Sequence, residues 1–217
     1  EGKLLMTLGT PNSPALKMSG KPFSVPTHLA VDKRNGELFV ADGYSNARVH
    51  RYTPDGKYLT SWGESGTGEG QFNIPWGLCF DSRGDVYVAD WGNNRVQKFA
   101  PGGSFLMSFG SASYGGELNH PADVAVDSQG DVYVTDWGNM RVQIYDPDGD
   151  VLTALYGDAT VFSRWGRRRV EADAPVVEAY RRIEDLTPLG RFRRPVGIAV
   201  DEQDRIIVTD STRGRLQ

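Results

Sequence analysis

One cysteine, Cys79, stands among the 217 residues, so no disulfide can form within the chain and a small disulfide-stapled scaffold is excluded. That thiol lies in the apolar stretch "WGLCFD" and reads as a buried, inert side chain. No apolar run approaches the length of about 18 residues that a membrane-spanning helix needs, and no leader pattern stands at Glu1. Histidine is scarce: His28, His50 and His120 occupy three different sequence contexts with no His-x-His pair, so no metal site is read and no cofactor is expected. No G-x-S-x-G nucleophile turn occurs, and "GESGTGEG" at 63–70 lacks the Lys-Ser/Thr ending of a phosphate loop, so it reads as a connector. An excess of positive charge is missing too. Lys and Arg total 24 against 28 Asp and Glu, a formal charge of −4, which counts against nucleic acid as the main partner.

What the sequence does have is repetition. "FSVPTHLAVD", "FNIPWGLCFD", "LNHPADVAVD" and "FRRPVGIAVD" place Pro26, Pro75, Pro121 and Pro195 in register. Each is followed by a polar turn and a short apolar run: "ELFVAD", "DVYVAD", "DVYVTD" and "RIIVTD". Val, Tyr and Phe in runs bounded by Gly and Asp predict strands. "ARVHRY", "NRVQKF" and "MRVQIY" supply a third strand, and "KYLTSWG", "SFLMSFG" and "DVLTALYG" a fourth, joined by the hairpin turns "TPDGK", "APGGS" and "DPDGD". Each unit is therefore a four-strand antiparallel meander, and units that cannot bury both faces alone must pack face to face around an axis. The fold class is all-β, a β-propeller of four-stranded antiparallel blades.

One domain over 1–217 is expected, with repeats at about 21–70, 71–117, 118–157 and 191–217. Residues 158–190 interrupt the pattern. Val176, Tyr180, Ile183 and Leu186 fall near helical spacing behind Asp173 and Pro175, predicting a short helical insertion. From Arg164 to Arg194 there are nine Arg against five acids, and Arg167, Arg168, Arg169, Arg193 and Arg194 are candidate partner contacts. "GKLLMTLG" at 2–9 reads as a blade's fourth strand and is expected to close the ring by completing a final blade. Blade faces left uncovered by this chain would need further sequence or self-association.

In such a meander, the entry to strand one and the loop between strands two and three lie at the same end of the sheet. That mouth face collects His28, Tyr44, Arg48, Trp76, Trp91 and Trp137 as candidate ligand contacts. Asp42, Asp90, Asp136 and Asp210 recur with Arg48, Arg95, Arg141 and Arg215, which predicts a carboxylate–guanidinium brace in every unit. Residues that differ between units, among them Tyr44, Trp76, His28 and His120, are better placed to carry function.

The pattern P-x-x-[LVI]-[AC]-[VF]-D followed by V-[AT]-D-x-G-N-x-R-V-Q resembles the NHL repeat, over almost all of the chain outside the insertion. The resemblance implies a propeller that usually has six blades, of which this chain supplies about four. "FVADGYSNARV" resembles the corresponding loop of peptidylglycine amidating lyases, which carries a Tyr and an Arg near the substrate, matched here by Tyr44 and Arg48. Those lyases place zinc-ligand histidines directly after the repeat's proline, where this chain has Thr27, Trp76, Ala122 and Val196. The expected function is a non-catalytic binding or scaffold propeller holding a protein, peptide or small ligand at the mouth. The alternatives are a metal-dependent lyase or hydrolase, and RNA binding through the Arg-rich insertion.

Overall fold

The computed structural model describes residues 2–111, 117–157 and 191–211, and the backbone of 215–216. The expected helical insertion, with Arg167, Arg168 and Arg169, lies outside them.

Among the described residues, fifteen strands form four antiparallel sheets in chain order. The first blade holds β1 (His28–Val31), β2 (Leu38–Asp42), β3 (Arg48–Tyr52) and β4 (Tyr58–Trp62). The second holds β5 (Pro75–Phe80), β6 (Val86–Asp90), β7 (Arg95–Phe99) and β8 (Phe105–Phe109), and the third β9 (Pro121–Val126), β10 (Val132–Asp136), β11 (Arg141–Tyr145) and β12 (Val151–Leu155). The fourth shows β13 (Pro195–Val200), β14 (Ile206–Asp210) and β15 (Arg215–Leu216) among the described residues. Each chain segment pairs with the next, so every sheet is a meander.

The outer hairpins share one turn. Gly56, Gly103 and Gly149 have φ of 84°, 93° and 89°, and each donates its N–H three residues back, to Thr53, Ala100 and Asp146. The register slips at Arg51/Tyr52, Lys98/Phe99 and Ile144/Tyr145, the bulge that accompanies a left-handed glycine closing a three-residue loop.

The core lies between the blades. Phe39, Val49 and Trp62 of the first blade pack on Phe72, Leu78, Val86 and Phe99 of the second. Tyr87, Val96 and Phe109 pack on Leu118, Val124, Val132 and Tyr145, and Ala125 and Val142 on Phe192, Ile198 and Val208. Each large apolar side chain buried this way contributes about 1.5–3 kcal/mol, so a blade draws much of its stability from its neighbours. Leu29 shows the converse: it is 49% exposed, while Leu78 and Val124 at the same repeat position are 1% exposed against the preceding blade.

The expectation of a strand over 2–9 is corrected: these residues form none. No neighbouring strand among the described residues pairs with them, so no ladder forms. Their position is nonetheless that of a fourth strand. A side chain placed on Gly56 would meet Leu8 and Met6, as one on Gly103 would meet Trp62 and one on Gly149 would meet Phe109. Leu8 and Phe23 pack on Leu38, Val40 and Tyr52.

Candidate functional site

A buried aspartate at the end of the second strand ties each blade's mouth together. Asp42, Asp90 and Asp136 are all 0% exposed. Each accepts the backbone N–H of the residue two before the repeat's proline: Ser24 at 2.8 Å, Asn73 at 2.7 Å and Asn119 at 2.7 Å. In the fourth blade Arg193 N–H donates to Asp210 at 3.0 Å. The entry to strand one is thereby fixed to the loop between strands two and three, which is why both motifs recur together.

The guanidinium brace forms in the second and third blades, with Arg95 Nε 2.9 Å from Asp90 and Arg141 Nε 2.8 Å from Asp136. Burial pushes the Asp90 carboxyl up, against the opposing pull of Asn93, Asn73 and Arg95. In the first blade the expected brace is absent. That loop is one residue longer, an α-helical turn, α1 (Gly43–Asn46), in place of the 3-10 turn at Trp91–Asn93. Asp42 keeps Asn46 Nδ2 at 2.8 Å, as Asp90 keeps Asn93 and Asp136 keeps Asn139, and takes His50 Nε2 at 3.3 Å, with no guanidinium beside them. Burial would raise its carboxyl, but the hydrogen bonds of His50, Asn46, Ser24 and Val25 outweigh it and hold it low. Arg48 is left half-buried, with no ion pair among the described residues, beside Gly20. His50 stands where Gln97 bonds Asp90 at 3.2 Å, and its Nδ1 finds no partner among the described residues. His50→Gln is therefore expected to change stability by less than about 1 kcal/mol in urea unfolding, since the glutamine amide can donate to Asp42 as Gln97 donates to Asp90; a loss above about 2 kcal/mol would show that the imidazole has a role the glutamine cannot fill.

Four of the candidate ligand residues come together. Tyr44 meets Trp76 edge-on with ring centroids 5.2 Å apart, Trp76 stacks on Trp91 at 4.6 Å, and Trp91 meets Trp137 at 5.1 Å. His120, at φ 55° just before the repeat's proline, lies 4.9 Å from Trp91. Arg194 holds its Cζ 4.5 Å over Trp137. The row crosses all four blades, because Tyr44, Trp91 and Trp137 lie in the loops after the aspartates while Trp76, His120 and Arg194 flank the prolines. Tyr44 is 51% exposed and the tryptophans are partly so. The presence of Arg194 in this row was not foreseen; its place directly before Pro195, like His120 before Pro121, was the available signal.

His28 stands apart from the row. Its Nδ1 accepts Leu78 N–H at 3.2 Å, a strut from the first blade to the second. Asp123, two residues after its own proline as His28 is, does the same from third to fourth, accepting Ile198 N–H at 3.0 Å. It also accepts Val124 N–H at 2.9 Å, the donor that Gly77 cannot serve. Asp123 is raised by burial, with His28 and the two N–H groups opposing. Both residues line a cleft of about 440 Å³ along the first strands of the four blades, with Cys79, whose thiol burial pushes well up. No group of three His, Cys, Asp or Glu side chains among the described residues is placed to hold a metal ion. None of the described helices is long and apolar enough to cross a membrane.

Comparison with known proteins agrees with this architecture. The family profile described as NHL repeat matches residues 72–99, 118–145 and 192–217. The chain is 37% identical over 121 residues to peptidylglycine alpha-amidating monooxygenase of Rattus norvegicus, covering 53% of this chain and 12% of that protein. It is 38% identical over 100 residues to NHL repeat-containing protein 3 of Homo sapiens, covering 45% and 28%, and 38% identical over 108 residues to peptidyl-alpha-hydroxyglycine alpha-amidating lyase 1 of Drosophila melanogaster, covering 46% and 19%. Among solved structures, virginiamycin B lyase from Staphylococcus aureus aligns with a TM-score of 0.55 at 14% identity over 88% of this chain and 54% of that one. A chain of a nidogen/laminin complex aligns at 0.54 and 16% identity, over 88% and 57%. At such identities the structural likeness concerns the fold, and the chain spans only a minor part of these curated relatives. The chain thus carries NHL repeats and folds as consecutive blades of a β-propeller.

Proposed function

We propose that this propeller is a non-catalytic binding module that holds a protein or peptide segment across its mouth. The observation that supports this reading is the aromatic row from Tyr44 through Trp76, Trp91 and Trp137. Aromatic side chains supply large apolar contact area with little rotamer freedom to lose, and they dominate the energetics of protein interfaces. The row rests on carboxylates that pin its loops at buried positions, so it is organised before any partner arrives.

The test is selection of a phage-displayed random peptide library on the folded chain, followed by affinity measurement of the selected peptides. Trp91→Ala, at the middle of the row, is expected to weaken them roughly 30-fold, the scale of an interface hot spot. Peptides indifferent to both Trp91→Ala and Trp76→Ala would place binding elsewhere, and failure to select any would remove the reading.

A second reading is a lyase, favoured by Arg48, which has no ion pair among the described residues and stands close in sequence to Tyr44, and by the names of the Rattus and Drosophila relatives. Conversion of a peptidyl-α-hydroxyglycine to an amidated peptide, lost in Arg48→Gln, would establish that activity in place of simple binding.

A further inference from the structure

Arg194 ends the aromatic row. Its Cζ lies 4.5 Å over Trp137, and its backbone N–H donates to Asp210 at 3.2 Å, which anchors the residue at its base. The side chain is exposed and has no ion pair among the described residues. A guanidinium held over an indole by cation–π attraction keeps its planar donor fork, and a carboxylate can accept from that fork at two points. Because the group is already positioned, it loses less freedom on taking an anion than a free side chain would.

We infer that the row receives an extended peptide whose apolar side chains lie along Tyr44, Trp76, Trp91 and Trp137 and whose aspartate or glutamate, at the Trp137 end, is taken by Arg194. The inference rests on reading this face as a binding surface and adds the chemistry of its occupant. Successive contacts along the row measure 5.2, 4.6, 5.1 and 4.5 Å. An extended peptide rises about 3.3 Å per residue, so the contour of the row accommodates at most roughly six residues. Single-stranded RNA also stacks on aromatic platforms, but it needs cations that track its phosphates along the whole strand. Within the row, only Trp137 carries a cation over its ring among the described residues, and the chain as a whole is acidic, at −4. One anionic contact at one end of an apolar strip is the pattern of an acidic-ended peptide.

A positional-scanning library of fluorescein-labelled hexapeptides, read by polarisation against the chain, tests this. Apolar residues are expected at the internal positions, and Asp or Glu at one terminal position is expected to bind about tenfold or more tightly than Asn or Gln there. In Arg194→Gln the acidic preference disappears while the apolar preference remains, and Arg194→Lys restores part of it. Absence of the acidic preference in the wild-type chain, or its persistence in Arg194→Gln, overturns the inference and leaves the binding face standing. If no hexapeptide binds, both fall. Tighter binding of decauridylate than of the best peptide overturns the inference in favour of RNA.

Discussion

Asp90→Ala is expected to destabilise the chain by about 3–5 kcal/mol in equilibrium urea unfolding, the range for breaking a buried ion pair from one side. Asp90 is fully buried and accepts from Asn73 N at 2.7 Å, Asn93 Nδ2 at 2.8 Å, Arg95 Nε at 2.9 Å and Gln97 Nε2 at 3.2 Å. Its loss removes an acceptor from four donors, one of them a cation that is itself only 8% exposed. Arg95 also donates to the carbonyls of Thr67, Gly68 and Gln71, so the connector between the first two blades would loosen with it. Asp90→Asn keeps the shape and loses the charge, and should fall between wild type and alanine. A cost for Asp90→Ala below about 1 kcal/mol would mean that water replaces the carboxylate without difficulty, and that the aspartate recurs for some reason other than stability.

Gly43→Ala is expected to cost roughly 3 kcal/mol, at the upper end of overpacking penalties. A methyl group there would run into the carbonyl oxygen of Pro75 and the side chain of Thr27. Thr27 Oγ1 itself donates to Pro75 O at 2.8 Å, so the side chain that the methyl group would meet already holds the carbonyl that it would meet. Trp76 follows Pro75 directly and touches Tyr44, so the same substitution should disturb the Tyr44 to Trp76 contact and weaken peptide binding at that end of the row. Gly102→Ala is the control, since nothing lies within 4 Å of its added Cβ. Thermal unfolding of the two variants side by side distinguishes a steric effect at Gly43 from a general cost of replacing glycine.

Much of the architecture was legible because the repeat states it four times. Strand order, the hairpin glycines and the clustering of aromatic residues at one end follow from local pattern and from the geometry of a meander. The brace was legible in the second and third blades, where Asp90 with Arg95 and Asp136 with Arg141 keep the same spacing. It failed in the first blade because one added residue before Arg48 converts a 3-10 turn into an α-helical turn and leaves Asp42 with Asn46 and His50, the counterparts of Asn93 and Gln97, but without a guanidinium. A repeat alignment marks that extra residue without saying which partner wins. The segment 2–9 was read as a strand on pattern alone, yet strand formation depends on a neighbour to pair with, which is not a property of the segment.

By itself, then, the sequence determined the four-strand unit, its turns and the end of the sheet where the aromatic residues gather, because these depend on residues near one another in the chain and on a period that repeats. Only the tertiary structure decided which side chains meet. It joined Arg194 to Trp137 and Trp76 to both Tyr44 and Trp91, drew His28 out of that group to serve as a strut on Leu78 N–H, and left Arg48 without its carboxylate. The physical reason is that, apart from the Trp76–Trp91 stack within the second blade, each of these contacts crosses from one blade to the next or turns on a competition for one buried carboxylate. Blade-to-blade packing and the most favourable set of hydrogen bonds settle such matters, and neither is written in any one repeat.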